Sequence, residues 1–179
     1  MKRRTWLAAG LGGAALVTGG GLSWWRHASV AARPSPEVAA LWSLRLPRPE
    51  GGDMALAEWQ GRPLLVNFWA TWCPPCVKEL PELDRFAQAQ AARGPQGWQV
   101  VGIAIDRLPA VQAFLQHTPV RYPLGLAGYA VTELTRQLGN DAGGLPFTVV
   151  VDQQGRIAHR KLGPTTEAEL QQWAALTPG

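Results

Sequence analysis

Three stretches of the chain, residues 64–69 (LLVNFW), 100–105 (VVGIAI) and 147–151 (FTVVV), are almost continuously apolar and only five or six residues long. Such runs are too short for buried helices and lack the alternation of half-exposed strands, so they read as strands covered on both faces. Between them, apolar residues recur at helical spacing: Val77, Leu80, Leu83 and Phe86; Val111, Phe114 and Leu115; Val131, Leu134 and Leu138. Strands that alternate with helices in this way imply an α/β fold built on one central sheet. Residues 41–46 and 54–56 read as two further short strands around the turn-rich segment 47–53. Asp152-Gln153-Gln154-Gly155 reads as a hairpin turn into a last strand, 156–162, and Leu170, Trp173 and Ala174 as a closing helix.

A chain of 179 residues suits one such domain with a little chain to spare. The surplus lies at the N-terminus. Lys2-Arg3-Arg4 precedes 21 uncharged residues, Thr5 to Trp25, and Trp24-Trp25-Arg26 closes the segment as an aromatic interface anchor would. Six glycines within it would weaken a soluble helix. Residues 1–33 are therefore expected to be a signal or membrane anchor of a bacterial inner membrane, with residues 34–179 as a domain on the periplasmic side. An uncleaved anchor is the preferred reading, although Val30-Ala31-Ala32 also fits a signal-peptidase site. The formal charge of +4 belongs to this segment: residues 1–33 hold five basic groups and no acid, leaving 12 basic and 13 acidic groups, net −1, on the rest. With its basic residues scattered among acids, the domain is not expected to bind nucleic acid.

The only two cysteines stand in Trp72-Cys73-Pro74-Pro75-Cys76, directly after an expected strand and directly before an expected helix. That context makes a C-x-x-C pair a redox candidate. Cys73 would sit at the helix N-terminus, where free N–H groups and the helix dipole favour thiolate, so it is the expected nucleophile. Cys76, one turn on, would close a disulfide with Cys73 and release the partner. Pro74 and Pro75 suit a first helical turn but have no N–H to give the thiolate. The Cys73 pKa should then be depressed mildly, which favours a reductant over a strong oxidant. A zinc site would need two more ligands, and His27, His117 and His159 stand isolated. Cu(I) held by the two thiols remains an open alternative.

The run Asn67-Phe68-Trp69-Ala70-Thr71-Trp72-Cys73-Pro74-Pro75-Cys76, with Pro81 and Gly144-Leu145-Pro146-Phe147-Thr148 beyond it, resembles the membrane-anchored TlpA/ResA-type proteins of the thioredoxin fold. The resemblance covers about residues 37–176. It implies a central mixed sheet flanked by helices, an N-terminal strand pair and a central helix-bearing insertion. It further implies an extracytoplasmic thiol:disulfide oxidoreductase that needs no cofactor. Its clients would be disulfide-bearing proteins such as apocytochrome c or copper-assembly proteins, and a transmembrane thiol reductase of the DsbD or CcdA kind would re-reduce it. The domain is expected to be monomeric.

By the same resemblance Pro146 is the family's cis-proline and Leu145 offers its backbone to an extended substrate, with Trp72 beside Cys73 as docking surface. Asn67 stands where thioredoxin has a buried aspartate. Glu79, three residues after Cys76, would take over proton transfer, sharing a helical face with it. Trp69 is expected to pack around the disulfide, and Asp106 to lie in the N-cap region of the following helix. A thiol peroxidase and a Cu(I)-binding assembly factor are the competing functions.

Overall fold

The computed structural model describes residues 34–177. The expected anchor, 1–33, lies outside the described residues, and none of the described helices is long and apolar enough to cross a membrane.

The first element departs from expectation. Residues 36–42 form helix α1 (Pro36–Trp42), with Pro36 in its first turn and Val38, Leu41 and Trp42 buried. Their spacing of three and four residues places them on one helical face, so helix geometry buries all three where a strand would split them. The strand expected at 41–46 is confined to β1 (Arg45–Pro47), which pairs antiparallel with β2 (Asp53–Ala55) through Leu46↔Met54. Gly51 and Gly52, both at positive φ, close the connecting turn. Leu56 begins a short 3₁₀ turn instead of extending β2.

The five-stranded sheet runs β5-β4-β3-β6-β7. The three apolar runs are its central strands, β3 (Leu64–Trp69), β4 (Gln99–Ala104) and β6 (Phe147–Val151), nearly every residue of them buried. β3 and β4 are parallel, as are β4 and β5 (Leu124–Leu126). β6 is antiparallel to β3, and β7 (Ile157–Leu162) to β6, which makes the sheet mixed as expected. Helix α2 (Pro74–Ala91) joins β3 to β4, and α5 (Glu167–Leu176) closes the described chain. The insertion between β4 and β6 holds α3 (Leu108–His117), β5 and α4 (Thr132–Gln137). β5 has only three residues with glycine at its centre, too little pattern to read from sequence. A Cβ on Gly125 would come within 2.3 Å of the Met54 side chain and 2.9 Å of Leu46, so glycine here lets the β1–β2 hairpin lie against β5.

Alternation along the strands gives the sheet two unlike faces. One carries Leu64, Val66 and Phe68, Val101 and Ile103, and Phe147, Val149 and Val151 against Val38, Leu41, Leu56 and Leu134. The other carries Leu65 and Trp69, Val100 and Ala104, and Val150 against Cys76, Leu80, Leu83 and Phe86 of α2. The register Gly102↔Asn67↔Thr148 puts a row of two polar residues and a glycine across the middle of this second face.

Candidate redox site

Cys73 and Cys76 form a disulfide. Cys73 is the N-cap residue of α2, and its Sγ accepts a hydrogen bond from the Cys76 backbone N–H at 3.3 Å. Pro74 and Pro75 occupy the two positions between, so the donor set is the one expected: one amide plus the helix dipole. Cys73 retains 4% exposure and Cys76 none, which makes Cys73 the sulfur an incoming thiol can reach. Trp69 is buried beneath, its ring 5.5 Å from Phe114 of the insertion, in the packing role expected of it.

Glu79 is also buried, on the side of α2 that faces the polar row of the sheet. Its Oε1 accepts from Asn67 Nδ2 at 2.6 Å, and Asn67 Nδ2 also donates to Thr148 Oγ1 at 3.0 Å. Glu79 Oε2 accepts from the Thr165 backbone N–H at 2.7 Å and from Thr165 Oγ1 at 3.2 Å. Burial pushes the Glu79 carboxyl above the usual range. Hydrogen bonds from the Thr165 amide, Asn67 and the Thr165 hydroxyl, and then the charge of Lys161, oppose this only in part. Thr148 and Thr165 escaped the sequence reading. They lie 81 residues from Asn67 and 86 from Glu79, with no local pattern to announce them.

The Leu145–Pro146 peptide bond is cis. The register Phe68↔Phe147 sets it beside the end of β3 that leads into the cysteines, and half-buried Leu145 packs against the apolar cluster that contains both. The Pro146 carbonyl accepts from Gly163 N–H at 2.8 Å, whereas no turn or loop hydrogen bond among the described residues uses the Leu145 amide or carbonyl. Strand directions bring the C-terminal ends of β3, β4, β5 and β7 to this same end of the sheet. Trp72, Leu108 and Tyr129 follow the ends of β3, β4 and β5 there and Leu162 ends β7, four of the five exposed large apolar side chains among the described residues. Trp72, at 57% exposure, flanks Cys73 on the surface.

Asp106 does something other than expected. The N-cap of α3 is Arg107, with no side-chain cap. Asp106 Oδ2 instead accepts from Thr71 N–H at 3.0 Å and Thr71 Oγ1 at 2.5 Å, while Oδ1 accepts from Arg107 N–H. It ties the turn carrying Trp72 and Cys73 to the end of β4. Pro81 lies inside α2, as expected of a structural residue. His159 stacks on Trp173 and reaches Thr177 Oγ1, away from the cysteines. Among the described residues no group of three or more His, Cys, Asp or Glu could hold a metal ion.

A family model described as redoxin matches residues 32–175. The thiol-disulfide oxidoreductase ResA of Bacillus cereus is 26% identical over 124 residues, 68% of this chain and 67% of the relative. The thiol:disulfide interchange protein DsbE of Pseudomonas aeruginosa is 37% identical over 112 residues, 60% of this chain and 54% of its own length. Among solved structures, a thiol:disulfide interchange protein of the thioredoxin family from Chlorobium tepidum superposes with a TM-score of 0.68 at 29% identity, covering 82% of this chain and 97% of that one. The likeness bears out the thioredoxin-like fold and the TlpA/ResA-type resemblance.

Proposed function

The chain belongs to the redoxin family and is a thiol:disulfide oxidoreductase, and from that premise we propose that it reduces disulfides in extracytoplasmic client proteins. The observation that carries this reading is the Cys73–Cys76 disulfide at the start of α2, with Cys73 the outward sulfur and a single backbone amide donating to it. In the dithiol form the Cys73 thiolate attacks one client sulfur and displaces the other as a thiolate, which takes a proton from solvent. Cys76 gives its proton to the Glu79 carboxylate and attacks Cys73 Sγ, releasing the second client sulfur as a thiolate that also takes a proton from solvent, while Glu79 returns its proton to solvent. The client gains two electrons and two protons, and the chain is left as the disulfide.

Client binding falls to Trp72, Leu145 and Pro146. An extended client segment pairs with the uncommitted amide and carbonyl of Leu145, and apolar residues flanking the client cysteine meet Trp72 and Leu162. Clients of the cytochrome c maturation type, or copper-assembly proteins, fit this chemistry. Residues 1–33 anchor a monomeric domain to the bacterial inner membrane on its periplasmic side, where a transmembrane thiol reductase of the DsbD or CcdA kind returns the electrons. The test is a Cys76→Ser variant expressed in the source cell. It should accumulate mixed disulfides on Cys73 that mass spectrometry identifies as secreted cysteine proteins. Absence of any such adduct, together with a persistent Cu(I) complex of the parent chain, would replace this reading with the copper-binding one.

A further inference from the structure

Scattered singly, exposed apolar side chains are ordinary on a protein surface; gathered around one reactive sulfur, they mark a contact surface. On the β6–β7 side of Cys73 stand Leu145 and Leu162, and on the β4–β5 side stand Leu108, 42% exposed, and Tyr129, 71% exposed. The first pair meets the client segment that pairs with Leu145. The second pair belongs to the insertion between β4 and β6, where Leu108 begins α3 and Tyr129 sits in the 3₁₀ turn Gly128–Val131 after β5. Neither takes part in the thiol chemistry.

The strand ends that carry these residues are fastened side by side. Ile105 N–H donates to the Trp69 carbonyl at 2.8 Å, joining the ends of β4 and β3, and Ala127 N–H donates to the Ala104 carbonyl at 3.0 Å, joining those of β5 and β4. Asp106 Oδ2 accepts from Thr71 N–H at 3.0 Å, which ties the turn of Trp72 to the one that leads into Leu108. Tyr129 is held in its own turn by Thr132 Oγ1, which donates to its carbonyl at 2.7 Å, and by buried Val131 two residues on. Gly128, at positive φ, turns the chain just ahead of it. Two apolar side chains on a fixed frame need no ordering when a partner arrives.

The sheet order places β4 next to β3, which leads into Cys73, and β5 beyond β4. Neighbouring strands lie about 4.8 Å apart, so the two steps from β3 to β5 span about 10 Å, the reach of about three extended residues. We infer that Leu108 and Tyr129 form a subsite for an apolar client side chain about three residues from the client cysteine, on the side that does not pair with Leu145. The occupant is the client chain itself, because a disulfide that reaches Cys73 brings the residues on both sides of its cysteine across this end of the sheet. The insertion thereby selects among clients, which the cysteine pair alone does not do. The inference rests on the client-reductase reading of the site and adds a sequence preference to it.

The test uses the full-length reduced chain in detergent and synthetic peptides that carry one cysteine blocked by glutathione. Leucine replaces serine one place at a time over the four residues on either side of that cysteine, and kcat/KM for glutathione release is read for each peptide. Leucine about three residues away on one side should raise kcat/KM about three- to tenfold over serine, as expected from burying half of a leucine side chain. In the Leu108→Ser/Tyr129→Ser double variant that gain should fall to near one, while the gain from leucine on the opposite side persists there and is lost in Leu162→Ser. The inference is overturned if no position shows a gain, or if every gain survives in the double variant. A chain that releases no glutathione from any peptide would refute the client-reductase reading, and the subsite with it.

Discussion

The two faces of the central sheet are built from the same strands, yet they have opposite contents. On the side of α1 and α4, β3, β4 and β6 contribute hydrocarbon apart from Gln99 at the start of β4, ending in the Phe68–Phe147 pair with ring centroids 6.0 Å apart. On the side of α2, the same strands present Asn67, Gly102 and Thr148 beneath a disulfide and a buried carboxylate. A hydrocarbon face contributes stability through burial alone and tolerates no exchange of protons or electrons. The other face gives up apolar contact to hold polar groups that must each find a partner. The molecule thus separates the layer that holds it together from the layer that does its chemistry.

The largest effect that can break this separation comes from the disulfide itself. Cys73→Ser should reduce insulin-disulfide reduction to the background rate while urea unfolding of the reduced protein shifts little. Phe68→Ala, on the hydrocarbon face, should do the reverse: it should cost about 3–5 kcal/mol of unfolding free energy and leave the exchange rate of the remaining folded protein unchanged. If Phe68→Ala altered the pH dependence of exchange, the two faces would be coupled and the separation lost.

Glu79→Gln sharpens the comparison through pH. Because the folded carboxyl titrates above its unfolded value of about 4.3, the folded state binds the proton more tightly. The stability this supplies is fully present below the unfolded value and is lost as pH rises through the folded one. The parent should therefore lose stability over that window while Glu79→Gln stays flat, as chemical unfolding at a series of pH values would record. Parallel curves would mean that Glu79 is not held in the raised state. The smallest effect is expected of Asp106→Ala, which removes both contacts to Thr71. About 1–2 kcal/mol of stability and a several-fold fall in kcat/KM should follow, with the pH profile unmoved.

What could be read from the sequence follows the range of the forces involved. The three apolar runs, the C-x-x-C pair and its place before a helix are local patterns, and the structure reproduces them at β3, β4, β6 and α2. The misreading at residues 41–46 arose because Trp42, Leu44 and Leu46 alternate as in a strand, while Pro36 and Val38, just upstream, start a helix that claims Leu41 and Trp42. Glu79 could be proposed from its spacing to Cys76 and the resemblance, but not its partners, since Asn67, Thr148 and Thr165 reach it only through sheet register and the loop after β7. Asp106 was misassigned for a similar reason: the next helix is one residue away in sequence, whereas Thr71, the partner that uses its Oδ2, is 35 residues away. Trp69 reads as an aromatic packed around the disulfide, and nothing local reveals that its indole N–H has no hydrogen-bond partner.

One backbone amide and a helix dipole, with two prolines in place of further donors, should leave Cys73 a moderate nucleophile in a reducing pair. The reduction potential of the Cys73–Cys76 couple, measured by equilibration with glutathione redox buffers, tests this directly. The expected value lies on the reducing side of about −180 mV, towards that of thioredoxin. A value near the strongly oxidising end, about −120 mV, would contradict it.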